Sequence, residues 1–281
     1  MSETLIGLLH PGEMGAAVAG CLTGRGYQVL WVPAGRSPAT AARAAAAGLT
    51  AAAGPDAAGQ AADLARRAAI IVSICPPHAA LPVARAVAAA AFTGIYVDAN
   101  AVSPGTAREV AAAIESAGAS YVDGGIIGTP STSPGFIRLY LSGERAGEVG
   151  QLFAGSAADT RVLGADPRAA SALKMAYAAW TKGSAALLLT ARALARAGGV
   201  EEALLAEWAA SQPDLAQRSA RAAGSAAAKG WRWVAEMEEI AEAMAAAGLP
   251  DGFHQAAAEI YRRAGDEPAL DSVLEALLPP S

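Results

Sequence analysis

The sequence is poor in the residues that cross-link chains or hold metal ions. It contains 2 cysteines and 3 histidines among 281 residues. Cys21 and Cys75 lie far apart and belong to no Cys-x-x-Cys pair, so we expect no disulfide framework. The histidines, at positions 10, 78 and 254, are equally scattered. The sequence therefore predicts a protein without a metal site.

Positive charge and long apolar runs are also scarce. Lys and Arg number 21 against 26 Asp and Glu, which gives a net charge of −5. A nucleic-acid-binding protein normally carries a basic face, so we expect no nucleic-acid partner. No stretch approaches the roughly 18 consecutive apolar residues of a membrane-spanning helix. The N-terminal residues also lack the basic-then-apolar layout of a signal peptide. We therefore expect a cytoplasmic protein that does not contact a membrane.

Short apolar runs alternate with helical stretches over the first 160 residues. The runs that predict strands are 5–9, 27–32, 69–74, 94–98, 120–123 and 136–142. Continuous apolar strands separated by helices indicate a parallel sheet that is covered on both faces. Residues 1–164 are therefore expected to form a doubly wound α/β domain.

The second part of the sequence predicts helices alone. A long alanine-rich helix is expected over 167–197, with Pro167 at its start and Gly198 beyond its end. Further breaks are expected near 211–214, Gly224, 248–252 and 265–268. Residues 165–281 are therefore expected to form an all-helical domain, joined to the first by this long helix.

Residues 5–15 read Leu-Ile-Gly-Leu-Leu-His-Pro-Gly-Glu-Met-Gly, a strand that leads into a turn and a helix. In a dinucleotide-binding turn of spacing G-x-G-x-x-G, glycines let the backbone approach the pyrophosphate at a helix N-terminus. His10, Gly12 and Gly15 hold the three positions here, so the first glycine is missing. We expect the backbone of the His10–Pro11 turn to stay at negative φ, which Pro11 requires.

The end of the second predicted strand indicates which dinucleotide is bound. An acidic residue there favours NAD, whereas a basic residue accommodates the 2′-phosphate of NADP. The sequence has Arg36 and Ser37 at this point and no carboxylate nearby, with Thr40 and Arg43 as weaker supplements. A guanidinium forms paired, charge-assisted bonds with phosphate. We therefore expect NADP(H), although Arg36 could instead be an ordinary surface arginine.

With these residues the chain resembles the β-hydroxyacid dehydrogenase superfamily over essentially its whole length. This superfamily includes 6-phosphogluconate and 3-hydroxyisobutyrate dehydrogenases and the imine reductases. The landmarks are Gly12-Glu13-Met14-Gly15, Gly35-Arg36-Ser37, Ser73-Ile74-Cys75-Pro76-Pro77, Asp98-Ala99-Asn100-Ala101-Val102-Ser103-Pro104 and Val122-Asp123-Gly124-Gly125-Ile126. Residues 173–177 and 233–241 are similar to a poorly characterised subgroup with a 6-phosphogluconate-dehydrogenase-like C-terminal domain.

The resemblance implies a Rossmann domain, a long interdomain helix, an all-helical domain and a homodimer formed through the helical domains. It implies that Lys174 is the general acid or base. It also implies that residues 75–77 and 100–101 lie along the cofactor near the nicotinamide ribose. The expected cofactor-binding residues are His10, Pro11, Gly12, Glu13, Met14, Gly15, Arg36, Ser37, Cys75, Pro76, Pro77, Asn100 and Ala101.

The sequence departs from the family pattern where a substrate would bind. The family asparagine one turn after the lysine is Ala178 here, and residues 123–129 lack the serine that grips a carboxylate. Lys174, Tyr177 and Thr181 share a helix face, although the two hydroxyls could equally be structural. We expect a small-molecule substrate. The candidate residues for binding it are Gly125, Ile126, Tyr177, Thr181, Trp233, Glu236, Glu239 and His254.

Three functions remain open from the sequence. The first is hydride transfer between NADP(H) and a small hydroxy or carbonyl substrate, with Lys174 as the acid or base. The second is reduction of a cationic imine held by Glu236 and Glu239, which could instead form a solvated stripe. His254 could relay a proton or simply be a polar surface or interface residue. The third is a protein that binds NADPH without catalysis.

Overall fold

The apolar segments of the first half form one sheet. The computed structural model describes residues 4–266 and 268–279. Within them, eight strands lie in the order β3-β2-β1-β4-β5-β6-β7-β8. These strands are β1 (Ile6–Leu9), β2 (Val29–Trp31), β3 (Thr50–Ala51), β4 (Ile70–Ser73), β5 (Ile95–Asp98), β6 (Ser120–Gly128), β7 (Ile137–Ser142) and β8 (Ala158–Val162).

Helices follow the strands and cover the sheet. They are α1 (Glu13–Thr23), α2 (Pro38–Ala46), α3 (Ala57–Arg67), α4 (Ala80–Ala89), α5 (Pro104–Glu115) and α6 (Ala146–Leu152). Every residue of β1, β4 and β5 is buried, as expected for strands with helices on both faces. Because β2 and β4 flank β1, the chain reverses its winding there, and loops at the carboxyl ends of these strands border a crevice.

The sheet differs from the predicted parallel sheet in one pairing. Strands β6 and β7 pair antiparallel, with Gly128 opposite Ile137. Only residues 129–136 connect them, and a parallel crossover needs about a dozen residues or more. The sequence also missed β3 and β8, because β3 is an exposed two-residue strand and β8 carries Asp159 and Arg161 instead of an apolar run.

The rest of the chain is helical. The helices are α7 (Ala169–Ala197), α8 (Glu201–Ser211), α9 (Leu215–Ala246), α10 (Gly252–Arg263) and α11 (Leu270–Leu277). The predicted break at Gly224 is wrong, because α9 continues through it. A glycine inside a helix costs only about 1 kcal/mol relative to alanine, and Ala222, Ala223 and Ala226 are buried beside it. The break predicted at 265–268 includes residue 267, which lies outside the described residues.

Two compact units make up the chain, residues 1–174 and 175–281. The first six residues of α7 belong to the first unit and the remainder of this helix to the second. The predicted fold class, a Rossmann domain followed by an all-helical domain with a long helix between them, is confirmed. No helix within the described residues is long and apolar enough to span a membrane.

Candidate functional site

The turn between β1 and α1 has an unusual backbone. His10 adopts a φ of +66°, so the prediction of a negative φ at this residue is wrong. The Gly12 amide donates a hydrogen bond of 2.7 Å to the His10 carbonyl, which closes a tight three-residue turn around Pro11. Histidine is one of the residue types that tolerate the left-handed conformation. His10 therefore takes the backbone conformation that a glycine would adopt more easily.

The two glycines of this turn have different roles. A Cβ atom on Gly15 would lie 2.7 Å from the His10 carbonyl oxygen, so only glycine lets α1 pack this closely against the turn. A Cβ atom on Gly12 would meet no atom within 4 Å. Gly12 precedes α1 and offers no side-chain cap to its first amides. Open space in front of amides at a helix N-terminus suits an anion such as pyrophosphate. Glu13 and Met14 begin the same helix.

The loop after β2 carries the expected basic residue. Gly35 turns the chain at a φ of +74°, immediately before Arg36. The Ser37 hydroxyl caps α2 by accepting the Thr40 amide at 3.2 Å. Arg43 donates through Nε to the Pro11 carbonyl at 3.4 Å. Arg43, a weak supplement in the sequence, therefore connects this loop to the β1–α1 turn.

His10 and Arg36 are electrostatically coupled at this edge of the sheet. Burial, and then the positive charge of Arg36, lower the pKa of His10 from 6.5 to about 4. Burial is also the main cause that raises the pKa of the Cys75 thiol to about 12. Both side chains are therefore neutral near pH 7, and Arg36 supplies the positive charge among these three residues.

A buried polar network joins the ends of β4 and β5. The Asn100 side chain accepts a hydrogen bond from the Cys75 amide at 2.6 Å and donates to Asp98 and to the Ser73 hydroxyl, the latter at 3.3 Å. Pro76 and Pro77 continue from Cys75, and Ala101 follows Asn100. The expected cofactor-binding residues therefore lie in the segments that follow the carboxyl ends of β1, β2, β4 and β5, and three of them, Glu13, Met14 and Gly15, form the start of α1.

Lys174 is positioned by the docking of α7 onto β6 and β7. The Asp123 carboxylate accepts hydrogen bonds from the Ser171 amide at 2.8 Å and the Ser171 hydroxyl at 2.6 Å. The Ser142 hydroxyl accepts the Ala170 amide at 3.0 Å and donates to Asp123 at 3.2 Å. Burial raises the pKa of Asp123 despite these donors. Three residues further along, Lys174 donates through Nζ to the Ile126 carbonyl at 2.7 Å.

Gly125, a candidate substrate residue, has a structural reason to be glycine. A Cβ atom on Gly125 would lie 2.7 Å from the Ala170 carbonyl oxygen and 3.3 Å from Cβ of Lys174. The missing side chain therefore lets the first turns of α7 lie against β6. Ile126 is buried, and its carbonyl accepts the hydrogen bond from the lysine.

The remaining candidate residues belong to the helical unit. Tyr177 is exposed, and the Thr181 hydroxyl donates back to the Tyr177 carbonyl at 3.1 Å, as a structural hydroxyl does. His254 is buried, with Nε2 3.3 Å from the Ala179 carbonyl. Glu239 lies one turn after Glu236 on α9 and is half-buried.

Glu236 is a buried partner of Lys182, which the sequence did not single out. Their side chains form an ion pair, and the Lys182 ammonium lies 5.2 Å from the centroid of the Trp233 ring. Trp233 also packs edge-on against Tyr261, whereas Trp231 is exposed. The sequence signal for Lys182 is a charged residue within an apolar stretch of α7, which indicates a buried partner. Its ion pair means that Glu236 already has a cationic partner.

Comparison with known families identifies the chain. The profile of the NAD binding domain of 6-phosphogluconate dehydrogenase matches residues 4–146, and a domain of unknown function, DUF1932, matches residues 195–264. The chain belongs to the 6-phosphogluconate dehydrogenase NAD-binding family. This membership confirms the superfamily expected from the resemblance, a superfamily of NAD(P)-dependent oxidoreductases. The open space at Gly12 and the uncapped amides of α1 fit such a dinucleotide.

Solved structures of this superfamily have the same fold. A conserved protein of unknown function, described as structurally similar to 3-hydroxyacid dehydrogenases, is 27% identical with a TM-score of 0.68, covering 98% of this chain and 100% of that one. 3-Hydroxyisobutyrate dehydrogenase from Salmonella typhimurium is 18% identical with a TM-score of 0.71, covering 97% and 99%. An imine reductase from Streptomyces aurantiacus is 21% identical with a TM-score of 0.54, covering 98% and 100%. A comparison with curated proteins found no match.

The low pKa of His10 predicts a pH-dependent stability for this NAD-binding domain. Between pH 6.5 and about 4 the unfolded chain holds a proton on His10 that the folded chain does not, so folding is disfavoured as the pH falls through this range. His10→Asn keeps a residue that tolerates positive φ and removes the titration. We expect chemical denaturation to show wild type losing stability relative to His10→Asn from pH 7 to pH 4.

A β-branched control separates this titration from backbone strain. His10→Val is expected to be less stable than His10→Asn at every pH, because valine is strained at positive φ. If the difference in free energy of unfolding between wild type and His10→Asn does not change from pH 7 to pH 4, the lowered pKa of His10 is contradicted.

Proposed function

We propose that the protein is an NADP(H)-dependent oxidoreductase that transfers hydride between the cofactor and a small hydroxy or carbonyl substrate. The observation that carries this proposal is the grouping of four loops at the carboxyl ends of β1, β2, β4 and β5 in a domain of the NAD-binding family. The pyrophosphate would lie at the N-terminus of α1, beside Gly12. The nicotinamide, when bound, would supply or accept the hydride.

The preference for NADP(H) rests on the loop after β2. Arg36 and Arg43 supply two positive charges there, and residues 33–46 contain no carboxylate that would bind ribose hydroxyls or repel a phosphate. Ser37 adds a hydroxyl at the N-terminus of α2, where an anion is also favoured. Burial lowers the pKa of Arg36, but a guanidinium remains charged at neutral pH.

Removal of Arg36 tests the cofactor preference. For Arg36→Ala we expect NADPH to bind about 10- to 100-fold more weakly, because a charge-assisted bond contributes roughly 1.5–3 kcal/mol. NADH, which lacks the 2′-phosphate, should bind with nearly unchanged affinity. Fluorescence titration with both cofactors measures this. Arg85→Ala, an exposed arginine of α4, is the matched control and should change neither affinity. If Arg36→Ala loses affinity equally for NADPH and NADH, Arg36 does not bind the 2′-phosphate.

Lys174 is proposed as the general acid or base. Its ammonium group is held by the Ile126 carbonyl at the end of the sheet that carries the cofactor loops. In the direction of carbonyl reduction, Nζ would donate the proton that the substrate oxygen needs. In the direction of alcohol oxidation, the neutral amine would accept it. A lysine can serve in this way when its surroundings lower its pKa towards neutrality.

Substitution of Lys174 tests this role. Lys174→Met preserves the length of the apolar stem and removes the proton, so we expect turnover to fall by about 10²–10⁴. NADPH affinity should stay close to that of wild type. Steady-state assays with a panel of small hydroxy acids, aldehydes and ketones provide the measurement. Lys229→Met, on α9, is the control. Undiminished turnover in Lys174→Met would remove Lys174 from the mechanism.

An imine substrate is the second candidate function. The observation in its favour is the loss of two carboxylate-binding groups of the family, since residues 123–129 lack the family serine and Ala178 replaces the family asparagine. Glu236, however, is already paired with Lys182 and is a poor anchor for a cationic imine. We therefore rank the hydroxy or carbonyl substrate first. Assays of cyclic imines beside the carbonyl panel decide between them, and NADPH binding without turnover of either class would indicate a non-catalytic protein.

We further propose that the protein is a homodimer formed through α7. Four large apolar side chains on this helix are exposed: Tyr177, Trp180, Leu187 and Leu194. With Ser184 and Ala191 they follow a spacing of 3, 4, 3, 4 and 3 residues, which keeps them on one stripe as in a coiled coil. None of the six carries a charge. A second copy of the same stripe would cover it by packing large side chains against the small ones.

A charge placed in this stripe tests the dimer. Trp180 and Trp231 are both 70% exposed, but only Trp180 lies on α7. We expect Trp180→Glu to shift the protein to monomer and Trp231→Glu to leave it dimeric, because a buried unpaired carboxylate is costly in an interface. Sedimentation velocity over a range of concentrations measures the mass. A monomeric wild type, or a dimeric Trp180→Glu, would contradict the proposal.

A further inference from the structure

The side-chain amide of Asn100 makes three hydrogen bonds within the protein. Asn100 is the only asparagine among the 281 residues. Its Oδ1 accepts the Cys75 amide at 2.6 Å, and its Nδ2 donates to both Asp98 and the Ser73 hydroxyl. A side-chain amide has two donor hydrogens and one carbonyl oxygen. Both hydrogens are therefore used within the protein, so the amide has none left to donate to a cofactor.

The partners of Asn100 are deeply buried and belong to two adjacent strands. Asp98 is 1% exposed, Asn100 2% and Ser73 0%. Asp98 of β5 and Ser73 of β4 are directly opposite each other in the parallel ladder. The Asp98 carboxylate also accepts the Asn100 backbone amide at 3.2 Å. Hydrogen bonds are electrostatically stronger in such a water-poor interior, and loss of one partner is correspondingly costly.

The tyrosines beside Asp98 are buried in the same part of the sheet. Burial, and then the charge of Asp98, raise the pKa values of Tyr96 and Tyr121 well above 10. Tyr96 and Tyr121 are neighbours in the β5–β6 ladder, and both are in the core. Asp98 therefore anchors the amide of Asn100 from the buried core of the sheet, below the loops that reach the crevice.

We propose that Asn100 is a positioning residue that sets the distance between the β4 and β5 loops for the nicotinamide half of the cofactor. The inference rests on the proposed function. Asn100 acts through the Cys75 amide, which it fixes while Asp98 and Ser73 hold its own side chain. It does not bind the cofactor through its side chain. The bond from Cys75 to Asn100 crosses from one loop to the next, so its loss would let the two loops separate.

A similar amide bond serves the other half of the site and offers a matched control. Gln60 of α3 accepts the Ala34 amide at 3.0 Å, in the loop after β2, and donates to the Gly54 carbonyl at 3.4 Å. Gln60 thus supports the loop that carries Arg36, on the adenosine side. Asn100→Ala and Gln60→Ala each remove one side-chain amide that accepts a backbone N–H from a strand-end loop.

The experiment measures the affinities of wild type and of these two variants for two ligands. NADPH occupies the whole site, whereas 2′,5′-ADP carries the 2′-phosphate and adenosine but no nicotinamide. Calorimetric titration gives both affinities, and NADPH fluorescence gives the first independently. For Asn100→Ala we expect NADPH to bind about 10- to 100-fold more weakly, because binding must then bring the separated β4 and β5 loops back together. Affinity for 2′,5′-ADP should change less than threefold. For Gln60→Ala we expect the affinity for 2′,5′-ADP to fall.

The outcomes separate the inference from the proposed function. Retained 2′,5′-ADP binding by Asn100→Ala also shows that this variant is folded. Equal weakening of both ligands, or of neither, would overturn the positioning role of Asn100. If wild type binds neither NADPH nor 2′,5′-ADP, the proposed cofactor itself is wrong.

Discussion

The packing of α1 against the carbonyl of His10 is the contact on which the candidate site depends. Gly15 permits it, since any side chain there would lie within 2.7 Å of that oxygen. His10 turns the chain at positive φ so that the carbonyl faces the helix, and Pro11 fixes the tight turn that follows. The first amides of α1 are left without a side-chain cap, and there is open space beside Gly12, which precedes them. A dinucleotide pyrophosphate needs free backbone amides as hydrogen-bond donors and open space beside them, and both are present at the start of α1.

Two buried carboxylates position the parts of the site that lie outside the turn between β1 and α1. Asp98 organises the ends of β4 and β5 through Asn100, and Asp123 holds the start of α7 through Ser171. Each accepts several hydrogen bonds where water is excluded, and for Asp123 burial still raises the pKa. Buried polar groups of this kind are costly if a partner is lost, so they favour one arrangement of the loops over others. Lys174 and the cofactor loops are therefore placed by the interior of the sheet.

The sequence predicted the fold and the family, because apolar strands, turn glycines and strand ends are local patterns. The residues of the cofactor site remain a prediction. The positive φ of His10 was missed, since a histidine beside a proline resembles an ordinary turn. The network around Asn100 and the Lys182–Glu236 ion pair were also missed, because both join residues distant in the chain. Gly125 was predicted as a substrate residue, and nothing in the sequence indicated the second reason for a glycine there, the close approach of α7 to β6. Contacts of this kind depend on packing, which no local pattern contains.

The central claim is that the crevice at the carboxyl ends of these strands is a site for NADP(H). Fluorescence titration of the wild-type protein with NADPH and NADH, at one pH and at two salt concentrations, tests it most directly. The account predicts that NADPH binds at least about tenfold more tightly, from one or more charge-assisted bonds to the 2′-phosphate, and that this advantage shrinks as salt screens the charges. Equal affinity for the two cofactors at low salt, or tighter binding of NADH, would contradict it.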